Sequence, residues 1–496
     1  MRSAAGGSTV PPTALGGISA AILNVEADFD LLRREVDGAP FWQRVRFEVH
    51  RRVLVESGTM GSPEPTGRTS LGWLRARLRT LRASVWSSAF GRIPECDVLF
   101  AGTGRRVLDS EWGWCSPHCG LLARGCGVRP LVVEHHVARW SPAAPGVPTR
   151  YLDRTHVWAL RERMIGNTIT LPADGASLLG AVATALRQRT GVSIDLAAMV
   201  RADLTSRRVG LAHYRRLLER CGARVVVVEC SYDKHTLVEA ARAMSLPVVE
   251  IQHGVLSRHH FGYHFPEGSG APSCFPDWFL AWGGYWRSAA AFPLPPERVL
   301  PVGFPRFDRE LALGSSGEPG RAGTTGGSAD ILFLSQAMLG ETLSRFAAEA
   351  ADRGLRDRII FRLHPREEQG WRTRYPWLAE AGVRVSGSEE PLYPRLRAAP
   401  IHVGTFSTAL FEGLALGARV YLVPAPGIEY MQDLLERGHA ALATSPAELA
   451  SLVDDDPMTA TRASDVDLFR PGALERTCAA LRAIAGGESP DEAVRA

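Results

Sequence analysis

Lysine is almost missing from this chain. Lys234 is the only one, so 56 of the 57 Lys and Arg residues are arginine. A high-GC coding bias accounts for the skew, and a formal charge of +4 over 496 residues is too small to argue for nucleic acid. Long apolar runs are missing too. Runs such as residues 225–228 have strand length, far below the roughly 18 residues a membrane-spanning helix needs. The opening MRSAAGGSTVPPTALGG has one Arg and no apolar stretch of signal-peptide length, so residues 1–20 read as a disordered leader. The eight cysteines follow no even framework for a chain this long, which favours a reducing, cytoplasmic setting. Cys115, His118, Cys119 and Cys126 lie close together, but their spacing fits no common zinc pattern. An Arg-rich stretch, residues 73–79, either offers cations to an anionic membrane face or forms a solvated helix face.

What is present is an alternation. Apolar residues make up 45%, enough for two sizeable cores. Strand-like runs occur at 97–101, 130–134, 224–229, 247–251, 278–282 and 299–302, with helical patterns over 28–57, 175–220 and 234–244. A Gly/Ser-rich stretch, 313–330, reads as a flexible connection. A second series follows, with strands at 331–334, 358–363, 383–386, 401–403 and 420–423 and helices at 341–353, 392–397 and 407–416. Strands alternating with helices predict parallel sheets covered on both faces. The expected fold class is α/β: two Rossmann-like domains, 21–305 and 306–465, facing a cleft, with a tail over 466–496 that has helical character.

Ligands of open α/β sheets bind beyond the carboxyl ends of the strands, so the residues just past each strand carry the chemistry. Gln252-His253-Gly254 follows one strand, and the glycine lets a phosphate or sugar approach the backbone. His259, His260, Tyr263 and His264 come next and read as a mobile rim. Ser335 and Gln336 follow another strand. Arg362 and His364-Pro365-Arg366 follow a third, where the proline ends the strand and the arginines can grip phosphate bidentately. Gly404 precedes Ser407 and Thr408, either of which can cap a helix whose free N–H groups attract anions. Glu412 lies within about two turns of that cap, within reach of a ribose hydroxyl. Together these form a cradle for a nucleotide mono- or diphosphate. A general base for an acceptor hydroxyl should come from across the cleft. Asp233 is preferred over Glu229, Asp109, Glu111 and Glu134 because it sits at a strand end beside the Gln252-His253-Gly254 loop.

The order Gln252-His253-Gly254, Val302-Gly303-Phe304-Pro305-Arg306-Phe307-Asp308, His364-Pro365 and Ser407-Thr408 resembles GT-B glycosyltransferases of bacterial surface polysaccharides. Polysialyltransferases, capsule Kdo transferases and CDP-glycerol glycerophosphotransferases are the families named by that order. The resemblance covers roughly residues 224–435. It implies that His364, Ser407 and Thr408 contact the donor phosphate, that a CMP-linked sugar is the favoured co-substrate, and that a glycan or glycolipid at the inner membrane accepts it. The paired glutamates of retaining relatives are absent, since Gly404 stands eight positions before Glu412. An inverting mechanism follows. Asp28-Phe29-Asp30 and Asp465-Val466-Asp467 are poorly placed for a metal, so no cofactor or divalent ion is expected. CDP-polyol phosphotransfer, sugar-nucleotide epimerisation and non-catalytic binding of a nucleotide or glycan remain open alternatives.

Overall fold

The computed structural model describes residues 14–61, 87–109, 113–135, 146–316, 330–454 and 466–490. The expected alternation builds two separate sheets. The first contains β1 (Val98–Ala101), β4 (Pro130–Glu134), β5 (Thr149–Tyr151), β6 (Val225–Val228), β7 (Val248–Ile251), β8 (Trp278–Ala281) and β9 (Val299–Pro301). Its order is β5-β4-β1-β6-β7-β8-β9, parallel throughout. The second contains β10 (Ile331–Leu334), β11 (Ile359–Arg362), β12 (Arg384–Ser386), β13 (Ile401–Gly404), β14 (Arg419–Leu422) and β15 (Ala441–Leu442), ordered β12-β11-β10-β13-β14-β15 and also parallel. A small antiparallel hairpin joins β2 (Val107–Asp109) to β3 (Gly113–Cys115). Strands such as Val-Val-Val-Val at β6 are buried on both faces, as parallel sheets require.

Three features depart from the sequence reading, and a fourth, the tail with its expected helical character, gains a place in the fold. Helix Ala14–Asp28 begins inside the expected leader, and its Leu15, Ile18 and Ile22 join an apolar core with helices Phe41–Glu56, Ala173–Thr190 and Leu196–Cys221. Helix Pro305–Ser316 runs into the stretch read as flexible. The tail is a helix, Ala473–Gly486, that returns to the first sheet. There Cys478, Leu481 and Ile484 pack with Val98, Phe100, Val225 and Leu300. Finally, Cys126 and Cys478 form a disulfide, which the reading of the cysteines as lacking a framework in a reducing setting did not anticipate. The Arg-rich stretch 73–79 and Glu111 lie outside the described residues.

The motif around Gly303 makes the return possible. Gly303 has φ +100°, and a Cβ there would strike the Arg470 carbonyl and the Ala473 methyl. Asp308 Oδ2 accepts from the Ala473 N–H at 2.7 Å, tying off the first turn of the returning helix. Phe304 stacks on Trp282 (4.8 Å) and on His118 (5.4 Å). The two domains also share a core in which Trp286 meets Phe411 at 4.7 Å.

Candidate functional site

The second domain presents four groups at its strand ends. Ser407 is the N-cap of helix Thr408–Ala415, its Oγ accepting from the Ala409 N–H at 3.3 Å. Gln336 holds the turn before it. Its Nε2 donates to the Phe406 carbonyl (2.9 Å) and its Oε1 accepts from the Phe406 N–H (3.2 Å). Both ends of the amide are engaged, so Gln336 shapes the turn. Gly404 packs tightly, with a Cβ there coming within 3.2 Å of Leu410 and 3.3 Å of the Leu334 carbonyl. Ser335 differs: its Oγ is buried and has no protein partner.

His364 has a defined tautomer. Its Nδ1 accepts from the Arg366 N–H at 3.2 Å, which leaves the proton on Nε2. Burial lowers its pKa to about 4, and Arg366 and Arg105 add to the effect. The ring is therefore a neutral donor at pH 7. Glu367, itself buried, steadies the turn by accepting from the His364 N–H (2.9 Å) and from the Tyr375 hydroxyl (2.7 Å). Arg362 donates through Nη2 to the Glu390 carbonyl while its buried Nη1 lacks a partner. Arg366 is exposed. Glu412 is buried beside the Tyr393 hydroxyl; burial raises its pKa, and Tyr393, Arg306 and Arg105 pull it back. Its Oε2 is unpartnered.

The first domain supplies a denser cluster. Glu250 at the end of β7 is fully buried. Its Oε1 accepts from the Tyr263 hydroxyl (2.5 Å) and the Ser231 N–H (3.0 Å). With its proton given to Glu250, the Tyr263 oxygen accepts from His253 Nδ1 at 3.3 Å, so His253 Nε2 accepts from the Tyr232 hydroxyl at 3.1 Å. Burial lowers the His253 pKa to about 3, with His118 the next cause. Gln252 pins the turn by donating to the Gly254 carbonyl (3.0 Å) and accepting from the Trp282 N–H (2.8 Å). Space around a Cβ at Gly254 is open, so no protein neighbour demands glycine there.

The loop after His253 is not a mobile rim. Phe261, Tyr263 and Phe265 are buried, and His260 stacks on Phe47 of helix Phe41–Glu56 at 5.4 Å. Arg46 of the same helix donates to the Phe261 (2.7 Å) and His264 (2.9 Å) carbonyls. The pattern Phe-Gly-Tyr-His-Phe is aromatic because the loop is buried under that helix.

The proposed bases separate. Glu229 accepts from the Thr103 N–H (3.0 Å) and hydroxyl (2.8 Å), holding the Gly102-Thr103-Gly104 turn. Glu134 is buried in an ion pair with Arg106, and burial raises its pKa. Asp109 ends β2, and its side chain lies outside the described residues. Among the described candidates, Asp233 alone is exposed, in the short turn after β6. The lone Lys234 follows it, buried, where its charge bears on Cys119, His253 and Glu250.

Two groups were given no role in the sequence reading. Arg105, exposed on the turn that Glu229 holds, bears on His118 of its own domain and on His364 and Glu412 of the other. Arg306 bears on His118 and Glu412 and lies 5.8 Å from the Tyr393 ring centre. The signal was present: a glycine turn after a strand, followed at once by Arg105. The two arginines mark where the domains face each other.

Two all-parallel α/β sheets, each followed by its helices and closed by a returning C-terminal helix, define a GT-B fold of two Rossmann-like domains. No family model and no curated protein matches the sequence. Solved structures share its fold. A UDP-N-acetylglucosamine 2-epimerase is 12% identical, with 80% of this chain and 97% of that one covered and a TM-score of 0.43. MurG of Acinetobacter baumannii is 11% identical, covering 78% and 99%, with a TM-score of 0.44. The spinosyn rhamnosyltransferase SpnG, in complex with thymidine diphosphate, is 16% identical, covering 80% and 98%, with a TM-score of 0.42.

Proposed function

We propose that the chain is an inverting, metal-independent glycosyltransferase. It takes a sugar from a nucleotide donor, CMP-linked by preference, and gives it to a surface glycan or lipid-linked acceptor. The observation that carries this reading is Arg105 of the first domain, whose charge bears on His364 and on Glu412 of the second, where Glu412 Oε2 is buried and without a partner; Ser335 Oγ, at the end of β10, is likewise buried and unpartnered. Buried polar atoms without partners cost stability unless a ligand satisfies them. Cations and neutral donors with an anion-attracting helix end suit a phosphate.

In this reading Ser335, His364 and the N-terminus of helix Thr408–Ala415 bind the phosphate, and Glu412 accepts from the nucleoside hydroxyls. Asp233 takes the proton from the acceptor hydroxyl as its oxygen bonds to the anomeric carbon. The bond from that carbon to the phosphate oxygen breaks, and its electron pair stays on the phosphate, beside Arg105. His253 and its tyrosines position the acceptor side. An epimerase is the second reading, favoured by the packing of residues 255–265 under helix Phe41–Glu56, which leaves the acceptor side crowded.

A thermal-shift screen against CMP, CDP, UDP, GDP and ADP, with and without EDTA, tests this. A nucleotide at about 100 times its Kd adds about 2.7 kcal/mol. A shift with CMP, unchanged by EDTA and lost in His364→Ala and Arg105→Ala, is expected. A UDP or GDP shift overturns the donor, and no shift with any nucleotide overturns the transferase. Asp233→Ala should keep the shift and lose turnover. Conversion of donor without acceptor marks the epimerase.

A further inference from the structure

Among the described residues, six large apolar side chains are exposed, and four of them fall within nine positions. Val157 is 50% exposed, Leu160 54%, Met164 78% and Ile165 60%. Three belong to helix Arg154–Met164 and the fourth is its C-cap. The steps from 157 to 160 to 164 are three and four residues, so these side chains line one stripe of the helix. The inward face fixes which way that stripe points. Thr155 and Ala159 are buried, and Trp158 stacks on His213 at 3.8 Å and lies 5.1 Å from Phe90. The stripe therefore faces outward by construction of the fold.

The exposed charges of the helix itself have one sign. Arg161 and Arg163 are exposed on either side of it. The helix's only acid, Glu162, is half-buried on the opposite face and accepts from Asn167. The helix begins two residues after β5, whose Tyr151 exchanges backbone hydrogen bonds with Ser87 and Ala89. An apolar stripe bordered by arginines, with no outward acid, matches a helix lying in the plane of a membrane surface. Scattered exposed apolar residues need no explanation, but a contiguous patch does.

We propose that helix Arg154–Met164 docks this protein on an anionic lipid bilayer, with Val157, Leu160, Met164 and Ile165 entering the headgroup boundary and Arg161 and Arg163 meeting lipid phosphates. The helix starts at the carboxyl edge of β5, the edge strand of the first sheet, and the stripe runs from there toward the helix C-terminus. The inference stands on the stripe and its charges and holds whether or not the transferase reading does.

Vesicle co-sedimentation of the full chain tests it, using phosphatidylcholine alone and phosphatidylcholine mixed with phosphatidylglycerol. The wild type should pellet with the anionic vesicles and stay in solution with the neutral ones. The double variant L160S/M164S should bind about tenfold more weakly or worse, with an unchanged melting curve, since both side chains are exposed. The double variant R161Q/R163Q should lose about fivefold per arginine at low salt and show a flatter salt dependence. Three outcomes overturn the proposal. The wild type does not pellet with anionic vesicles, or L160S/M164S pellets as well as the wild type. In the third, light scattering shows a wild-type dimer that L160S/M164S splits while vesicle binding is unchanged, which assigns the stripe to a second copy. Nucleotide shifts are read separately, so failure of the site and failure of the surface are distinct results.

Discussion

Glu250 offers a test of the first domain's cluster that needs no substrate. Its carboxyl is fully buried, and burial raises its pKa to about 7, against bonds from Tyr263 and Ser231 that lower it. In the unfolded chain the same group titrates near 4.5. Below about 4.5 both states hold the proton and the group contributes no pH dependence. Between about 4.5 and 7 the unfolded chain ionises while the folded one does not, so stability falls as pH rises. Above about 7 both are ionised and the loss is complete. That rise from about 4.5 to about 7 corresponds to about 3 kcal/mol. Glu250→Gln keeps the shape and removes the titration. Urea unfolding, followed by tryptophan fluorescence from pH 4.5 to 8, should show the variant gaining on the wild type by up to about 3 kcal/mol across that window. Histidines such as His118, His253 and His235, all lowered by burial to about 3, weaken both proteins alike below pH 6.5 and cancel in the difference. A difference that stays flat with pH would refute the assignment of a buried acid here.

Three further outcomes are expected. Arg46→Met leaves Glu26 buried without its cation, since both side chains are 1% exposed; a loss of about 3–5 kcal/mol in chemical unfolding is expected. Cys478→Ser, or reduction of the wild type, removes a link spanning 352 residues and should cost up to about 5 kcal/mol; a wild-type melting curve indifferent to reductant would show that the bond is not formed. Gly262→Ala places a Cβ 2.5 Å from the Tyr232 ring. It should cost about 1–3 kcal/mol in thermal unfolding, and Tyr232 should leave its bond to His253.

The strands were legible because parallel sheets write themselves as short, wholly apolar runs. Val225–Val228 and Ile331–Leu334 need no context. β5 and β15 are short, with half-buried residues, so neither shows the run. Helix Ala14–Asp28 went unread because its small residues, Ala14, Gly16, Gly17 and Ser19, look like leader sequence; packing against three other helices decides its state. At the site, Ser407 capping its helix was readable from the local pattern. The buried state of Tyr263 and His260 was not. Aromatic and histidine residues in a loop carry the same letters under a helix as at a rim, and only helix Phe41–Glu56, some two hundred positions away, distinguishes them. The Cys126–Cys478 pairing was hidden for the same reason, since chain separation says nothing of distance.

The returning helix has a consequence for how the chain is made. Residues 473–486 fill one face of the first sheet, alongside strands that end by residue 301. A ribosome delivers those strands long before that helix. Until the last segment emerges, Val98, Phe100, Val225 and Leu300 lack their cover, and the second domain can complete its sheet while the first still waits. Chains truncated near residue 465 should therefore expose an unfinished first domain beside a finished second one, and quality control by chaperones and proteases should meet this protein at its oldest residues.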